Sequence, residues 1–382
     1  MSTRERLSRL PWKGQFTPEF VDVLLDAYLP DGGVVLDPFA GSGTVLFEAA
    51  RRGMKSYGAE ISDAALVFSR VAELSSLGLE SRLEALTIAR QLLDRWPRQQ
   101  ETQRSLCSDT APEREVIEAA RSEPRVWRLV SAAVVLAQTT RSKIVRSSVL
   151  EALTRLRGIV LESATPRPPC HVYQADARAL PLDDETVDLV VTSPPYINVH
   201  NYHQYARAAV ELLGGDPLGA AKSEIGANRK FRQNRFLTVV QYAIDMAEVL
   251  AELRRVVDPG GRVVVVLGRE SRVRGITFAN GSLLTVLAQR EESFEVRRRM
   301  ERSFINRFGA QIFEDIIELA PSGGGGGGAE VGRSVGIEFL KCALHRALDE
   351  AQERDLTLAV KQAESVPPSP ILRAAGVPAI AM

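Results

Sequence analysis

Apolar residues fall in short unbroken runs in two separate stretches of the chain, and between those stretches they recur at helical spacing instead. The first run, residues 33–39 (GVVLDPF), ends in a proline ahead of a glycine cluster, which predicts a buried parallel strand feeding a turn. A helix should follow. Val45, Leu46, Ala49 and Ala50 share one helical face, and Gly53 supplies a stop. Residues 55–61 (KSYGAEI) predict a second strand, with Asp63 placed to cap the helix that begins AALVFSRVAEL. From about residue 62 to 169 strand signals cease, and helical patterns broken near Trp96-Pro97, Ala111-Pro112 and Glu123-Pro124 predict a helical insertion. Strands resume at 171–177 (HVYQADA), 187–193 (VDLVVTS) and 261–268 (GRVVVVLG), the last after a Pro259-Gly260 turn. Between the last two lie a helix near 201–213, a polar loop and a strong helix over 236–257, while 294–303 and 315–319 read as a closing hairpin. Six glycines, 323–328, read as a flexible linker before a helical stretch, 331–364, and a loose proline-containing end, 366–382. The order strand, helix, strand, helix predicts an α/β fold with a mostly parallel sheet, whose right-handed crossovers put the ligand-facing loops on one edge.

Composition narrows the classes without choosing among them. A chain of 382 residues has length for one enlarged domain or two, and its 45% hydrophobic and 25% charged residues are those of a globular protein. Three distant cysteines, Cys107, Cys170 and Cys342, suit a reducing compartment and offer no zinc pattern. The N-terminal stretch has no apolar targeting core and no segment approaches the length of a membrane span, so a soluble, cytoplasmic protein is expected. Lys and Arg number 48, as do Asp and Glu, and a net charge of zero at first argues against a nucleic-acid partner. The sum hides its distribution. Residues 222–307 carry 17 basic and 10 acidic side chains, so neutrality is an average over a basic stretch and a more acidic remainder.

Three places carry candidate chemistry. In Asp37-Pro38-Phe39-Ala40-Gly41-Ser42-Gly43-Thr44, glycines allow a tight turn and close backbone approach, and the following helix offers free N–H groups to an anionic ligand group. Leu46 excludes the Gly-x-Gly-x-x-Gly fingerprint, and no Gly-Lys-Ser/Thr makes it a P-loop. Glu60, at the end of the second strand, is placed to accept from both hydroxyls of a ribose, and Asp176, at the end of the third, from an exocyclic amine of the same ligand. Either carboxylate alone reads as a solvated strand end; three acids (Asp37, Glu60 and Asp176) at successive strand ends beside a glycine turn favour a ligand site. The sharpest element is Thr192-Ser193-Pro194-Pro195-Tyr196, where two prolines stop the ladder and fix the backbone while Tyr196 offers a flat aromatic face.

DPFAGSGT followed by TSPPY resembles the S-adenosylmethionine-dependent DNA methyltransferases that modify exocyclic amino groups, the N4-cytosine and N6-adenine kind. The resemblance covers roughly residues 12–62 and 171–321 and implies a seven-stranded, Rossmann-like methyltransferase sheet. It implies that Phe39, Gly41 and Gly43 hold the methionine part of the cofactor, that Glu60 and Asp37 line its site, and that Ser193, Pro194, Pro195 and Tyr196 form the catalytic loop. Gly14-Gln15-Phe16-Thr17-Pro18 resembles the family's N-terminal cofactor motif, which brings Phe16 and Thr17 into the same set, and Asp176 matches the adenine-contacting acid. The expected domains are 1–62 with 171–321 (catalytic), 63–170 (helical insertion) and 322–382 (linker and helical appendage). More than a hundred residues between Glu60 and Asp176 depart from the usual plan. Serine as the first loop residue leans toward cytosine N4, with adenine N6 the alternative.

The resemblance further implies double-stranded DNA as partner, with a cognate restriction endonuclease as a further candidate, and no metal. A target base must leave the stack to reach such a pocket. Lys222, Arg229, Lys230, Arg232 and Arg235 lie within KSEIGANRKFRQNR, placed between the catalytic loop and the next core helix, and can neutralise phosphates. Arg297, Arg298, Arg299, Arg302 and Arg307 either extend that patch or blunt an edge strand. His200 and His203 invite a metal reading but lack a third ligand, and a polar cluster with Asn198, Asn201 and Tyr202 is the alternative. Pro169-Cys170 formally matches the dipeptide of a C5-cytosine nucleophile, yet it precedes the third strand and reads as a buried thiol. An RNA base methyltransferase and a non-catalytic cofactor-binding protein are the other classes in play.

Overall fold

The computed structural model describes residues 9–98, 112–141, 144–197, 201–227, 231–306, 309–324 and 327–372. Its strands in chain order are β1 (Val34–Asp37), β2 (Lys55–Ala59), β3 (Cys170–Tyr173), β4 (Val187–Thr192), β5 (Val257–Gly268), β6 (Glu270–Val273), β7 (Ile276–Ala279), β8 (Phe294–Ile305) and β9 (Gln311–Pro321). Seven of them form one sheet of hydrogen-bonded order β3-β2-β1-β4-β5-β9-β8, while β6 pairs with β7 apart from it. The pairs β1–β4, β2–β3 and β4–β5 are parallel, and β9 runs antiparallel to both β5 and β8. The mostly parallel α/β sheet expected from the apolar runs is present. Its central strands read as near-continuous Val and Leu because they are buried: Val35, Leu36, Leu189, Val190, Val191 and Val263 to Leu267 all expose 2% or less of their surface.

The chain divides into two compact units, Met1–Ala27 with Ala40–Gln174 and His203–Ala220, and Tyr28–Phe39 with Ala175–Tyr202 and Ala221–Met382. In the first, β2 and β3 pair from Ser56 opposite Cys170 to Ala59 opposite Tyr173. Helices Leu79–Leu93, Pro112–Arg121, Pro124–Arg141 and Arg146–Val160 make up its bulk. Positions 129–137 are buried without a break, as in a helix that is apolar all round and occupies a core. Pro112 and Pro124 stand at the first residue of their helices, where a missing N–H costs no helical bond. Cys170 is buried at the start of β3, and burial pushes its thiol up to about 12, so it is a poor nucleophile at neutral pH.

In the second unit, helix Leu237–Val256 packs on helix Gly328–Leu344 through two glycines. A Cβ at Gly332 would stand 2.5 Å from Ile244 Cα, and one at Gly336 2.7 Å from Val240 Cα, so only glycine admits this approach. The helix beyond the glycine run is therefore seated on the body of this unit.

Several local expectations change. Strand β3 stops at Tyr173, so residues 174–177 are not strand and Asp176 does not close it. Ser62, not Asp63, is the N-cap of helix Asp63–Ser69, and the Asp63 carboxylate instead accepts from Gln174 Nε2 at 2.7 Å. The helix expected near 201–213 is reduced to a 3-10 turn, Tyr202–Gln204, and the short helix Arg207–Leu212. Residues 366–372 are not loose: Ser369 is 2% exposed, its N–H donates to Asp245 at 2.7 Å, and Arg178 donates to the Ser369 and Pro370 carbonyls. Among the described residues no helix is long and apolar enough to cross a membrane.

Candidate active site

In the first unit the glycine turn is built from backbone. Gly41 and Gly43 have φ of +53° and +86°, values that L side chains rarely adopt. Gly43 has a second reason to be glycine, since a Cβ there would stand 2.9 Å from Ser69 Cα. The Gly43 N–H donates to the Ala40 carbonyl at 2.8 Å, and Ala40 N–H to Ala59 at 3.0 Å, so the turn is tied to the end of β2. Glu60, the next residue, accepts from Gly41 N–H through one oxygen at 2.9 Å and from Ser62 N–H through the other at 2.8 Å. Glu60 is only partly buried.

The N-terminal motif is held to the same turn. Ser42 Oγ donates to Gln15 Oε1 at 2.7 Å, a tie that no pattern in the sequence announced. Phe16 is buried with its ring edge-on to Phe20 at 5.7 Å, and Thr17 is exposed while its carbonyl accepts the Phe20 and Val21 N–H groups that open helix Pro18–Tyr28.

In the second unit, β1 and β4 pair with Leu36 opposite Val190, which brings the residues ending both strands together. Thr192 Oγ1 donates to Asp37 Oδ1 at 2.7 Å, and the Phe39 N–H donates to the same oxygen at 3.1 Å. Asp37 is 4% exposed, and burial pushes its carboxyl up to about 7 against the pull of those two hydrogen bonds. Phe39 is half-buried.

The loop after β4 follows directly. Pro194 is buried, and Ser193, Pro195 and Tyr196 are partly so. The Tyr196 ring lies over Gly268 at the end of β5, where a Cβ would stand 2.8 Å from Cε2. Burial, reinforced by the Glu314 charge, raises the pKa of its hydroxyl. The loop thus presents a partly buried hydroxyl, two prolines and an aromatic ring in sequence directly after β4.

Asp176 is otherwise engaged than its sequence position implied. Its Oδ1 accepts from the Arg178 N–H at 3.1 Å and Nε at 2.8 Å, and its Oδ2 from Arg178 Nη2 at 2.7 Å and Leu372 N–H at 3.2 Å. Those four donors fill the carboxylate's acceptor positions. Arg178 also reaches Asp245 at 3.0 Å, and the sequence held no periodicity that could pair residues so far apart.

Of the basic residues, Lys222, Arg232 and Arg235 are exposed, and Arg229 and Lys230 lie outside the described residues. Arg297, Arg298, Arg299 and Arg302 pair with Glu295, Glu318, Asp315 and Glu314, on β8 at the end of the sheet, and Arg307 lies outside the described residues. Their charge is compensated locally, as in a protected edge strand. Asn198 and His200 are likewise outside the described residues, and His203 is mostly buried in its 3-10 turn. Among the described residues no group of three or more His, Cys, Asp or Glu side chains can hold a metal ion.

Residues 2–68 match a family model of N6/N4 methyltransferases described as DNA methylase. The match supports the N4/N6 DNA methyltransferase family. It reaches only the first residues of the expected insertion and covers the N-terminal motif, the glycine turn and Glu60. The chain is 36% identical over 66 residues to the Type II methyltransferase M.MjaII of Methanocaldococcus jannaschii, a stretch that is 16% of this chain and 12% of that relative. Among solved structures it is similar to a SAM-dependent methyltransferase of Methanosarcina mazei, at 14% identity and a TM-score of 0.37, covering 78% of this chain and 97% of that one. It is also similar to the rRNA methyltransferase aviRa of Streptomyces viridochromogenes, at 14% identity and a TM-score of 0.32, covering 84% and 88%. Likenesses this distant carry no argument about what the chain does.

Proposed function

We propose that this chain transfers a methyl group from S-adenosylmethionine to an exocyclic amino group of a base flipped out of double-stranded DNA, with cytosine N4 as the favoured target. The observation that carries the reading is the Ser193-Pro194-Pro195-Tyr196 loop at the end of β4, with Tyr196 seated on Gly268. The matched N-terminal segment supports it from the cofactor side.

The residues present fit the cofactor. Glu60 is a partly buried carboxylate fixed at the turn by two backbone N–H groups, a group of the kind that accepts from ribose hydroxyls, and the positive-φ turn at Gly41 and Gly43 leaves backbone open to close approach. Phe16, Thr17, Asp37, Phe39, Gly41, Gly43 and Glu60 are the residues assigned to hold it. Asp176, its acceptor positions filled, is assigned the part of fixing the loop after β3. When bound, the cofactor supplies an electrophilic methyl on its sulfonium.

The chain's own residues act on the nucleophile. An amino group conjugated to a base ring is a poor nucleophile because its lone pair is delocalised. Hydrogen bonds from that NH₂ to Ser193 Oγ and the Pro194 carbonyl favour a tetrahedral nitrogen and localise the pair, with prolines holding both acceptors in place. Tyr196 stacks on the flipped base and keeps water from it. No covalent bond to the protein is required, in keeping with the buried, high-pKa thiol of Cys170. Lys222, Arg229, Lys230, Arg232 and Arg235 are assigned to phosphates, which makes binding salt-sensitive.

Incubation with methyl-labelled S-adenosylmethionine and either DNA or RNA, followed by digestion to nucleosides, tests the assignment. N4-methylcytosine in DNA is expected. N6-methyladenine would move the target base, label in RNA alone would move the substrate, and label in neither would overturn the reading.

A further inference from the structure

The seat of Tyr196 lies where the sheet has lost a strand. Pairing of β4 with β5 ends at Thr192 opposite Val265, while β5 runs on to Gly268, the residue over which the Tyr196 ring lies. On the β9 side Gly268 still has a neighbour, Glu314. On the other side β4 has turned away into the catalytic loop, so main-chain groups past Val265 need another partner there. The fit leaves little slack, because a Cβ on Gly268 would stand 2.8 Å from Tyr196 Cε2 and 3.2 Å from Cδ2. Ring and main chain are in contact, and a shift of one moves the other.

Asn280 provides the missing support. It opens helix Asn280–Glu291 after β7, its side-chain Nδ2 donates to the Gly268 carbonyl at 2.7 Å, and its main-chain N–H donates to the Arg269 carbonyl at 3.1 Å. The Arg269 N–H in turn donates to the Phe313 carbonyl on β9 at 3.0 Å, so the end of β5 is held from two sides. Nδ2 also donates to Ser271 Oγ at 3.0 Å, which uses both protons of the amide.

An asparagine is an unfavourable choice for this place on packing grounds alone. It is 0% exposed, and its Oδ1 finds no hydrogen-bond partner among the described residues. Burying an amide oxygen without a partner is destabilising, and an aliphatic side chain of similar size would avoid it. What the amide does and an aliphatic chain cannot is bond the Gly268 carbonyl.

We infer that Asn280 is a positioning residue for methyl transfer: by fixing the Gly268 carbonyl it sets the floor under the Tyr196 ring, and so the plane in which that ring meets a flipped base. This rests on the function proposed above. Asn280 touches neither base nor cofactor in this account; it acts through Gly268 and Tyr196.

The test is Asn280→Leu in the full chain, assayed well below the melting temperature of each protein. Affinity for S-adenosylmethionine and KM for DNA should stay within about twofold, while kcat for transfer to DNA should fall about tenfold, because a ring out of place is felt when the base reacts. Asn280→Ala, which adds no bulk, should show the same split and serves if the leucine is not accommodated. Ser271→Ala removes the other partner of Nδ2 and leaves the Gly268 bond, so kcat should be unchanged. In a Tyr196→Ala background, Asn280→Ala should cost nothing further, since no ring is left to position. A merely structural role would make the two losses additive. Full activity in both Asn280 variants, an equal loss in Ser271→Ala, an additive loss with Tyr196→Ala, or a loss in cofactor affinity in place of kcat would overturn the inference. Wild-type protein that labels no nucleic acid would overturn the function and this inference together; an active wild type with unaffected Asn280 variants overturns the inference alone.

Discussion

The turn after β1 and the loop after β4 both present a fixed backbone at the end of a parallel strand, one by glycine and the other by proline. In the turn, Gly41 and Gly43 take positive φ values and Glu60 is braced by two backbone N–H groups, so the polar atoms on offer are those of the main chain and one partly buried carboxylate. In the loop, Pro194 and Pro195 stop strand pairing, and the groups on offer are a hydroxyl, a carbonyl and an aromatic ring pressed on Gly268. The difference is chemical. A main-chain cradle with an acid suits holding a polar ligand in one pose, while a rigid acceptor pair beside a ring suits acting on a flat amine.

Separation of the two tasks can be broken most forcefully at the loop. Ser193→Ala and Tyr196→Ala should each lower methyl transfer about 100- to 1000-fold, by analogy with the removal of one preorganised transition-state contact; initial rates with labelled cofactor and DNA measure this. At the turn, Glu60→Ala should weaken cofactor binding about 10- to 100-fold, the loss of hydrogen bonds to a charged group, and leave kcat at saturating cofactor almost intact. Titration calorimetry together with saturation kinetics would show it, and an equal loss in kcat would blur the two roles.

Gly43→Ala asks the backbone question alone. With φ at +86° and Ser69 Cα 2.9 Å from the added Cβ, it should destabilise the protein by about 1–3 kcal/mol, visible in a denaturant melt. Unchanged stability would mean that the turn can relax.

A further expectation concerns Asp37, and it depends on pH. Its carboxyl is held near 7 in the folded chain against an ordinary 3.8, so the folded state keeps a proton that the unfolded state gives up. The native state binds more protons between those values, and stability should therefore be greatest below about pH 4, fall as pH rises, and be fully lost from this group above about pH 7. Asp37→Asn, which keeps an uncharged group at that place, should flatten the wild-type decline in melting temperature between pH 4 and 7. Parallel curves for the two proteins would sink the assignment.

How much of this could be read in the chain differs between local and distant features. The apolar runs of β1, β4 and β5 marked buried parallel strands because period and composition are local signals. The loop after β4 was legible for the same reason, as consecutive prolines dictate their own backbone. The fate of Asp176 was not, because it depends on Arg178 meeting Asp245 and on Leu372, nearly 200 positions on, donating to the same carboxylate. Likewise residues 366–372 look loose by composition and are pinned only by Asp245 and Arg178. The arginines of β8 fitted a basic patch and a blunted edge strand equally in the sequence, because the acids that pair with Arg298, Arg299 and Arg302 come from β9 across the hairpin.

The division between holding and transferring is tested most directly by the affinity for S-adenosylmethionine of a Ser193→Ala, Tyr196→Ala double variant, measured by calorimetry beside the wild type. The account predicts a dissociation constant within about threefold of wild type in a protein that transfers no measurable methyl group, the signature of a contact made only in the transition state. Loss of cofactor binding in that variant would contradict it.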